Sequence, residues 1–301
     1  MSLRRFFRMK LQNPKSERIY EVKGPVYTND VSGVWCGTVK DEALGSLFVK
    51  IQNYGNFSDK TLRESVMNTA AEEARSLKLA GNCTRGVPKL YDHWNDHDAS
   101  RYVIVMQKAH GSALRSWMNR NKTNGLEAKE LYVRTQIIIS ICEVMNDILR
   151  KYPVLVHRDL KPENIFIRFD KKRRRWRACI IDFGCANMNY IRNVGTPVYQ
   201  APEQQGKKNT SVGITTKTDI FSIGQIFYEL LLGEPQLIGT SYTFRAGGKT
   251  WTRRPELTPQ LLELKGGKEL NDILKRMTEY KPSDRIIYDE LITELKRIRF
   301  R

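Results

Sequence analysis

The run His157-Arg158-Asp159-Leu160-Lys161-Pro162-Glu163-Asn164 and the triplet Asp182-Phe183-Gly184 that follows it constrain this chain more than any other feature. The first run sits between two apolar stretches, Val154-Leu155-Val156 and Ile165-Phe166-Ile167, and the triplet follows Ile180-Ile181. Short apolar runs bounded by polar residues read as buried elements, so both charged clusters fall on loops at the ends of a rigid scaffold, where side chains can be aimed at a ligand. The residue types suggest phosphoryl transfer. Asn164 and Asp182 supply hard oxygens of the kind a magnesium ion takes, Lys161 a positive charge for phosphate, and Asp159 a carboxylate able to accept a hydroxyl proton.

Together the two segments resemble the catalytic loop and the metal-binding motif of eukaryotic-type protein kinases, and later landmarks recur in the same order. Gly195-Thr196-Pro197-Val198-Tyr199-Gln200-Ala201-Pro202-Glu203 resembles the substrate-docking segment that ends in A-P-E. Asp219 to Leu232 is similar to the central helix of the larger lobe, and Arg285 corresponds to the arginine that pairs with Glu203. The resemblance implies an α+β, bilobal fold, with a small five-stranded β lobe carrying one helix and a larger, mainly helical lobe. On this frame residues 1–18 are a basic lead-in, 19–106 the small lobe, 107–111 the hinge and 112–301 the large lobe.

The resemblance also implies roles. Lys50, a lysine inside the apolar run Leu47-Phe48-Val49-Lys50-Ile51, corresponds to the lysine that contacts nucleotide phosphates, where the bland reading is a snorkelling strand lysine. Its glutamate partner is Glu73, with Glu72 as the alternative, on a helix over 61–80 that ends at Gly81. Met106 lines the back of the adenine pocket, and backbone groups near Gln107 and Ala109 bind adenine. Asp159 orients the hydroxyl and takes its proton, Lys161 steadies the transferring group, and Asn164 and Asp182 hold the metal. The implied cofactors are ATP and Mg2+, and the implied reaction is transfer of the γ-phosphate to Ser or Thr hydroxyls of proteins, since Lys161 and Thr196 resemble the Ser/Thr branch.

One landmark departs from the family pattern. Counting back from Val34, the three glycines of the phosphate loop fall on Tyr27, Asn29 and Ser32, with Gly33 one position away. Nucleotide contacts are therefore expected from Ser32, Gly33 and Val34 in a loop built differently. A degenerate loop also marks pseudokinases, so the alternative is a catalytically weak or silent scaffold; the presence of Lys50, Asp159, Lys161, Asn164 and Asp182 favours the enzyme. Between Gly184 and Gly195 there is no Ser or Thr and one Tyr, Tyr190, so control by Ser/Thr phosphorylation within that stretch is not expected.

Composition bounds the rest. The 301 residues carry 51 Lys and Arg against 33 Asp and Glu, a formal charge of +18 that favours encounter with acidic protein substrates, nucleic acid or an anionic membrane. Basic residues cluster at Arg4 to Lys10, Lys171 to Arg177 and Lys296 to Arg301; the middle cluster is expected at a solvated hairpin tip, with no nucleic-acid fold to accompany it. No stretch approaches the roughly 18 apolar residues of a membrane span. Five cysteines without a C-x-x-C pair argue against a disulfide framework or a zinc site, and with no signal-peptide pattern they lead to an expected cytoplasmic, reducing location. Asp92 to Asp98 is expected to be a polar turn between two strands rather than a metal site.

Overall fold

The computed structural model describes residues 7–122, 125–186, 195–205, 213–234 and 256–300. Tyr190 and the glycine pair Gly247-Gly248 lie outside the described residues. The chain divides into two compact units: Met1–Ala109 together with Asp182–Gly184, and His110–Ile181 together with Cys185–Arg301.

The first unit is an antiparallel sheet with one helix. Its strands are β1 (Phe7–Gln12), β2 (Ile19–Asn29), β3 (Val34–Asp41), β4 (Gly45–Asn53), β5 (Leu90–Asp96) and β6 (Arg101–Gln107), in the order β1-β2-β3-β4-β6-β5. Helix α1 (Lys60–Gly81) lies between β4 and β5 in the chain. The sheet thus holds one strand more than the sequence reading places, because β1 forms inside the stretch read as a basic lead-in. Arg8 and Lys10 conceal a period-2 pattern: Leu11 is buried and Met9 packs on the core, while the cations between them point away. Leu11 pairs with Tyr20 and Met9 with Val22, and the cluster continues through Val39, Leu47, Val49, Ile51, Trp94, Val103 and Val105.

Helix α1 starts at Asp59, whose carboxylate accepts the Leu62 amide hydrogen at 2.7 Å. Its buried side chains Ala70, Glu73, Ala74, Leu77 and Ala80 fall at three- and four-residue steps, one face of a helix that carries a single carboxylate inward. The expected turn at Asp92–Asp98 is shorter than the sequence suggests. Strand β5 runs on to Asp96 in register with β6, and the reversal is made by His97–Ser100. The polar residues of the strand have partners that let them stay: Asp92 accepts from Asn13 and from the Tyr20 hydroxyl, and Asn95 accepts from Tyr54. Among the described residues no three or more His, Cys, Asp and Glu side chains gather so as to hold a metal ion.

His93, half-buried beside Tyr102 with Nδ1 2.7 Å from the hydroxyl, carries a pH prediction. Burial, aided by Lys78, Lys15 and Arg75 and opposed by Asp92, holds its pKa below the ordinary 6.5. A base depressed in the folded state is protonated first in the unfolded chain, so stability is lost as pH falls below that ordinary value. Melting at about pH 5.5 and about pH 7.5 is expected to show this loss, and His93→Gln to reduce the difference.

The second unit is mainly helical. Strand β7 (Ser112–Ala113), α2 (Leu114–Arg120) and α3 (Ala128–Lys151) precede the hairpin β8 (Ile165–Asp170) and β9 (Arg175–Ile180). Then come α4 (Pro202–Gln205), α5 (Thr216–Leu232), α6 (Pro259–Glu263), α7 (Gly267–Met277) and α8 (Tyr288–Arg297). Helix α5 is buried from Thr218 through Leu231, its polar Thr218, Asp219, Ser222 and Glu229 each hydrogen-bonded, and is closed by a Thr215/Thr218 capping box and by Gly233 in the left-handed region. Helix α3 buries Leu131, Ile138, Ile141, Met145 and Ile148. The basic cluster at Lys171–Arg174 is the exposed tip of the β8–β9 hairpin, as expected. A small unit of sheet and one helix with a larger helical unit is the α+β, bilobal arrangement that the motifs imply. No helix among the described residues is long and apolar enough to cross a membrane, and all five cysteines are free thiols.

Candidate active site

Six of the sequence-nominated residues gather into two groups, Lys50, Glu73 and Asp182 in the first unit and Asp159, Lys161 and Asn164 in the second. In the first unit Lys50, on β4 opposite Cys36, sends Nζ to both carboxylate oxygens of Glu73 at 2.7 and 2.8 Å and to Asp182 Oδ1 at 3.3 Å. Of the two glutamates that the sequence leaves open, Glu73 is the buried one that meets the lysine, while Glu72 pairs with Arg75 on the surface. Burial by itself would lower the Lys50 pKa, but Asp182 and then Glu73 outweigh it and hold the ammonium above its ordinary value. The same burial pushes Glu73 up, opposed chiefly by Lys50. A fixed cation is thus held on one helix carboxylate with a second carboxylate, Asp182, 41% exposed beside it.

In the second unit Asp159 is the centre. Its Oδ1 accepts from the Thr196 amide at 2.8 Å and the Thr196 hydroxyl at 2.9 Å, and its Oδ2 from Lys161 Nζ at 2.7 Å. Lys161 also reaches the Thr196 hydroxyl at 2.9 Å. Asn164 donates its amide nitrogen to the Asp159 carbonyl at 3.0 Å, which leaves the amide oxygen as the atom to offer a cation. The loop is fixed from below. Buried Asp219 on α5 accepts the backbone N–H groups of His157 and Arg158 at 2.7 and 2.9 Å, and the Arg158 carbonyl accepts from Gln204 at 2.8 Å. Arg158 has a φ of 68°, a left-handed conformation that costs a non-glycine residue about 1–2 kcal/mol, and these bonds hold it there. Burial pushes the Asp219 carboxyl up, and His157 and the two amide bonds oppose it.

The expected nucleotide contacts divide. The β2–β3 connection is a tight turn in which Gly33, at φ +68°, donates to the Asp30 carbonyl and accepts from the Asn53 amide at 2.8 Å. A Cβ there would strike the Asn53 carbonyl, so Gly33 is required by the turn itself. Ser32 bonds back to Asn29 and forward, through its carbonyl, to Gln52, and Val34 pairs with Gln52. No described hydrogen bond joins these three residues to Lys50, Glu73 or Asp182. The Gln107 N–H is spent on the Lys89 carbonyl at 2.8 Å, so a purine could use only the carbonyl of that residue.

One cluster escapes the sequence reading. Arg115 on α2 donates Nε to Glu163 of the loop at 2.7 Å and a terminal nitrogen to the Tyr199 hydroxyl at 2.7 Å, and it pairs with buried Glu229 of α5. Tyr199 in turn donates to Glu229 at 2.6 Å. These bonds hold the Arg115 pKa above its ordinary value against burial. The members come from four separate segments, and no spacing in the sequence signals them. Farther on, Glu203 and Arg285 make the buried bidentate pair that the motifs imply, at 2.7 Å for each bond.

Each group by itself carries atoms of the kind a magnesium nucleotide takes: a carboxylate oxygen of Asp182 beside the held cation Lys50 in the first unit, and an amide oxygen of Asn164 near the held cation Lys161 in the second. Comparison with known proteins agrees. Residues 46–295 match the protein kinase domain family. The chain is 24% identical over 245 residues to the Aurora kinase of Schizosaccharomyces pombe, covering 77% of this chain and 61% of that protein. It is 26% identical over 289 residues to the human serine/threonine-protein kinase Nek2, covering 93% and 60%. Against the serine/threonine-protein kinase atg1 of Dictyostelium discoideum it is 31% identical over 169 residues, 54% of this chain and 23% of the relative. The chain therefore spans about three fifths of the length of the first two relatives. With the family match over most of its length and both motif groups in place, the chain belongs to the protein kinase domain family.

Proposed function

We propose that the chain is an ATP- and magnesium-dependent protein kinase that transfers the γ-phosphate to Ser or Thr hydroxyls. The observation that carries this reading is the Asp159 carboxylate, held on one oxygen by Thr196 and on the other by Lys161. In this reading Asp159 orients the incoming hydroxyl and accepts its proton, while Lys161 holds positive charge next to that carboxylate. Lys50, fixed by Glu73, would bind the α- and β-phosphates, and Asp182 and Asn164 would hold the metal. The bound magnesium nucleotide supplies the transferable phosphoryl group and neutralises its charge. The names of the relatives support the Ser/Thr assignment.

The tight Gly33 turn supports a second reading, a catalytically weak or silent scaffold, because the usual glycine-built backbone cradle for phosphate is replaced by a turn bonded to Asn53. Phosphoamino acid analysis of a general protein substrate after incubation with labelled ATP separates the two. Phosphoserine and phosphothreonine are expected; nucleotide binding without transfer would select the scaffold. Lys50→Met is expected to lower transfer by about 10²-fold, checked by initial rates at saturating substrate, because the cation for phosphate is lost and Glu73 is left buried alone.

A further inference from the structure

The second unit brings together two basic clusters that are far apart in the sequence. Arg175 at the start of β9 and Lys296 at the end of α8 converge on Glu143 of α3, at 3.8 and 2.7 Å. The hairpin tip Lys171–Arg174 and the exposed residues Arg297 and Arg299 therefore belong to one basic surface. Its internal compensation is small. Glu143 serves Arg175 and Lys296, and Asp170 serves Arg173 and Arg177 at 3.4 and 3.7 Å. Among the described residues no carboxylate pairs with Arg168, Lys171, Lys172, Arg174, Arg297 or Arg299.

This concentration of charge works against the fold. Arg168 and Arg177 stand directly opposite each other across the hairpin, a like-charged cross-strand pair that destabilises a ladder. Burial, Arg175 and Arg173 together hold the Arg177 pKa below its ordinary value. The hairpin does not need these residues for its packing, which rests on buried Ile165, Ile167, Ala178 and Ile180. A costly charge surplus without a packing use points to an anionic ligand.

An apolar foothold lies beside the tip, on the face of the hairpin opposite Arg168 and Arg177. Phe169, 48% exposed, stands edge-to-face with Trp176 at 5.6 Å, Trp176 with Trp117 at 5.9 Å, and the Arg134 guanidinium covers Trp117 at 5.3 Å. One ring is open, and the others are occupied by each other and by Arg134. That favours a polypeptide with a single apolar anchor over a nucleic-acid strand, which uses successive open rings as stacking platforms.

We propose that this surface, formed by the β8–β9 tip and the α8 terminus, docks an acidic segment of a protein partner, with an apolar residue of that segment seated against Phe169. The inference rests on the protein-kinase reading in one respect: for a kinase the natural owner of such a segment is a substrate, whose tethering raises its effective concentration at the site of transfer. The charge attraction itself does not require catalysis.

The test is fluorescence anisotropy with the whole chain and a labelled peptide of Asp and Glu carrying one central Phe. The probes for comparison are a Gln/Ser peptide of equal length, a single-stranded oligonucleotide and phosphatidylserine vesicles. The acidic peptide is expected to bind at least about tenfold more tightly than the neutral one, with affinity falling as salt rises. Two independent variants, Lys171→Glu with Lys172→Glu and Arg174→Glu, and Lys296→Glu with Arg297→Glu, should each weaken it by about tenfold. Asp159→Asn should bind as wild type does. With a substrate carrying an acidic tail, the first variant should raise KM and leave kcat unchanged. Equal affinity for acidic and neutral peptides would overturn the proposal. So would tighter binding of the oligonucleotide or the vesicles lost in the same variants, which would assign the surface to another partner. Peptide binding without any phosphoryl transfer would sink the kinase reading and leave the docking surface standing; transfer without peptide binding would do the reverse.

Discussion

Asp159→Asn is expected to lower phosphoryl transfer by about 10²–10⁴-fold, the usual contribution of a positioned general base, with little change in melting temperature. Asparagine matches the shape of aspartate, and its oxygen can still accept from the Thr196 amide and hydroxyl, so the anchor to the segment at Gly195–Ala201 survives. Its nitrogen cannot accept from Lys161, and it cannot take a proton from a substrate hydroxyl. The loop itself is fixed through backbone bonds to Asp219 and Gln204, which the substitution does not touch. A loss of activity with the fold intact is thus the signature. A rate within about twofold of wild type would remove Asp159 from the chemistry.

Arg285→Ala is expected to cost about 3–5 kcal/mol of stability, because it strands a buried carboxylate. Both partners are essentially inaccessible, with side-chain exposures of 0% for Arg285 and 1% for Glu203. All the guanidinium nitrogens are engaged: two bonds go to Glu203, and the others to the carbonyls of Lys217, Tyr280 and Glu279 at 2.7–3.0 Å. The plane also lies 5.0 Å from the Phe221 ring centre. Thr218 donates to Glu203 at 2.8 Å, yet one hydroxyl cannot replace a fork of two charged donors. A fall in melting temperature on the order of 10 °C follows. The double variant Arg285→Met with Glu203→Leu should recover part of it, since removing both charges removes the desolvation penalty. If the single variant melted with wild type, the pair would have no structural weight.

The two motif groups were legible in the sequence because the resemblance to the kinase family rests on particular side chains at fixed spacing within short segments, 157–164 and 182–184. Asp159, Lys161 and Asn164 lie within one loop, and a loop of that kind has few ways to aim them. The choice of Glu73 over Glu72 follows from helix geometry, since Glu73 shares a face with Leu77 and Ala80. Strand β1 was hidden because its outward positions are cations, and a run of charge reads as a solvated tail until its alternate residues are seen to meet Tyr20 and Val22. Strand β5 outran its apolar residues because hydrogen-bond register with β6, together with partners for Asp92 and Asn95, outweighed turn propensity. The Arg115 cluster and the meeting of two basic segments at Glu143 are tertiary events between residues distant in the chain, so no local pattern announces them.

Magnesium-dependent transfer of labelled γ-phosphate to protein Ser and Thr, compared between wild type and Asp182→Asn, bears on the central claim most directly. Asp182 is the exposed carboxylate next to the Lys50–Glu73 pair, and an amide there keeps its size while removing the charge that a metal ion needs. Transfer that rises with magnesium in wild type and is lost in the variant is the predicted result. Transfer at equal rates in both, or none in wild type at any magnesium concentration, would contradict the assignment of this chain as an active protein kinase.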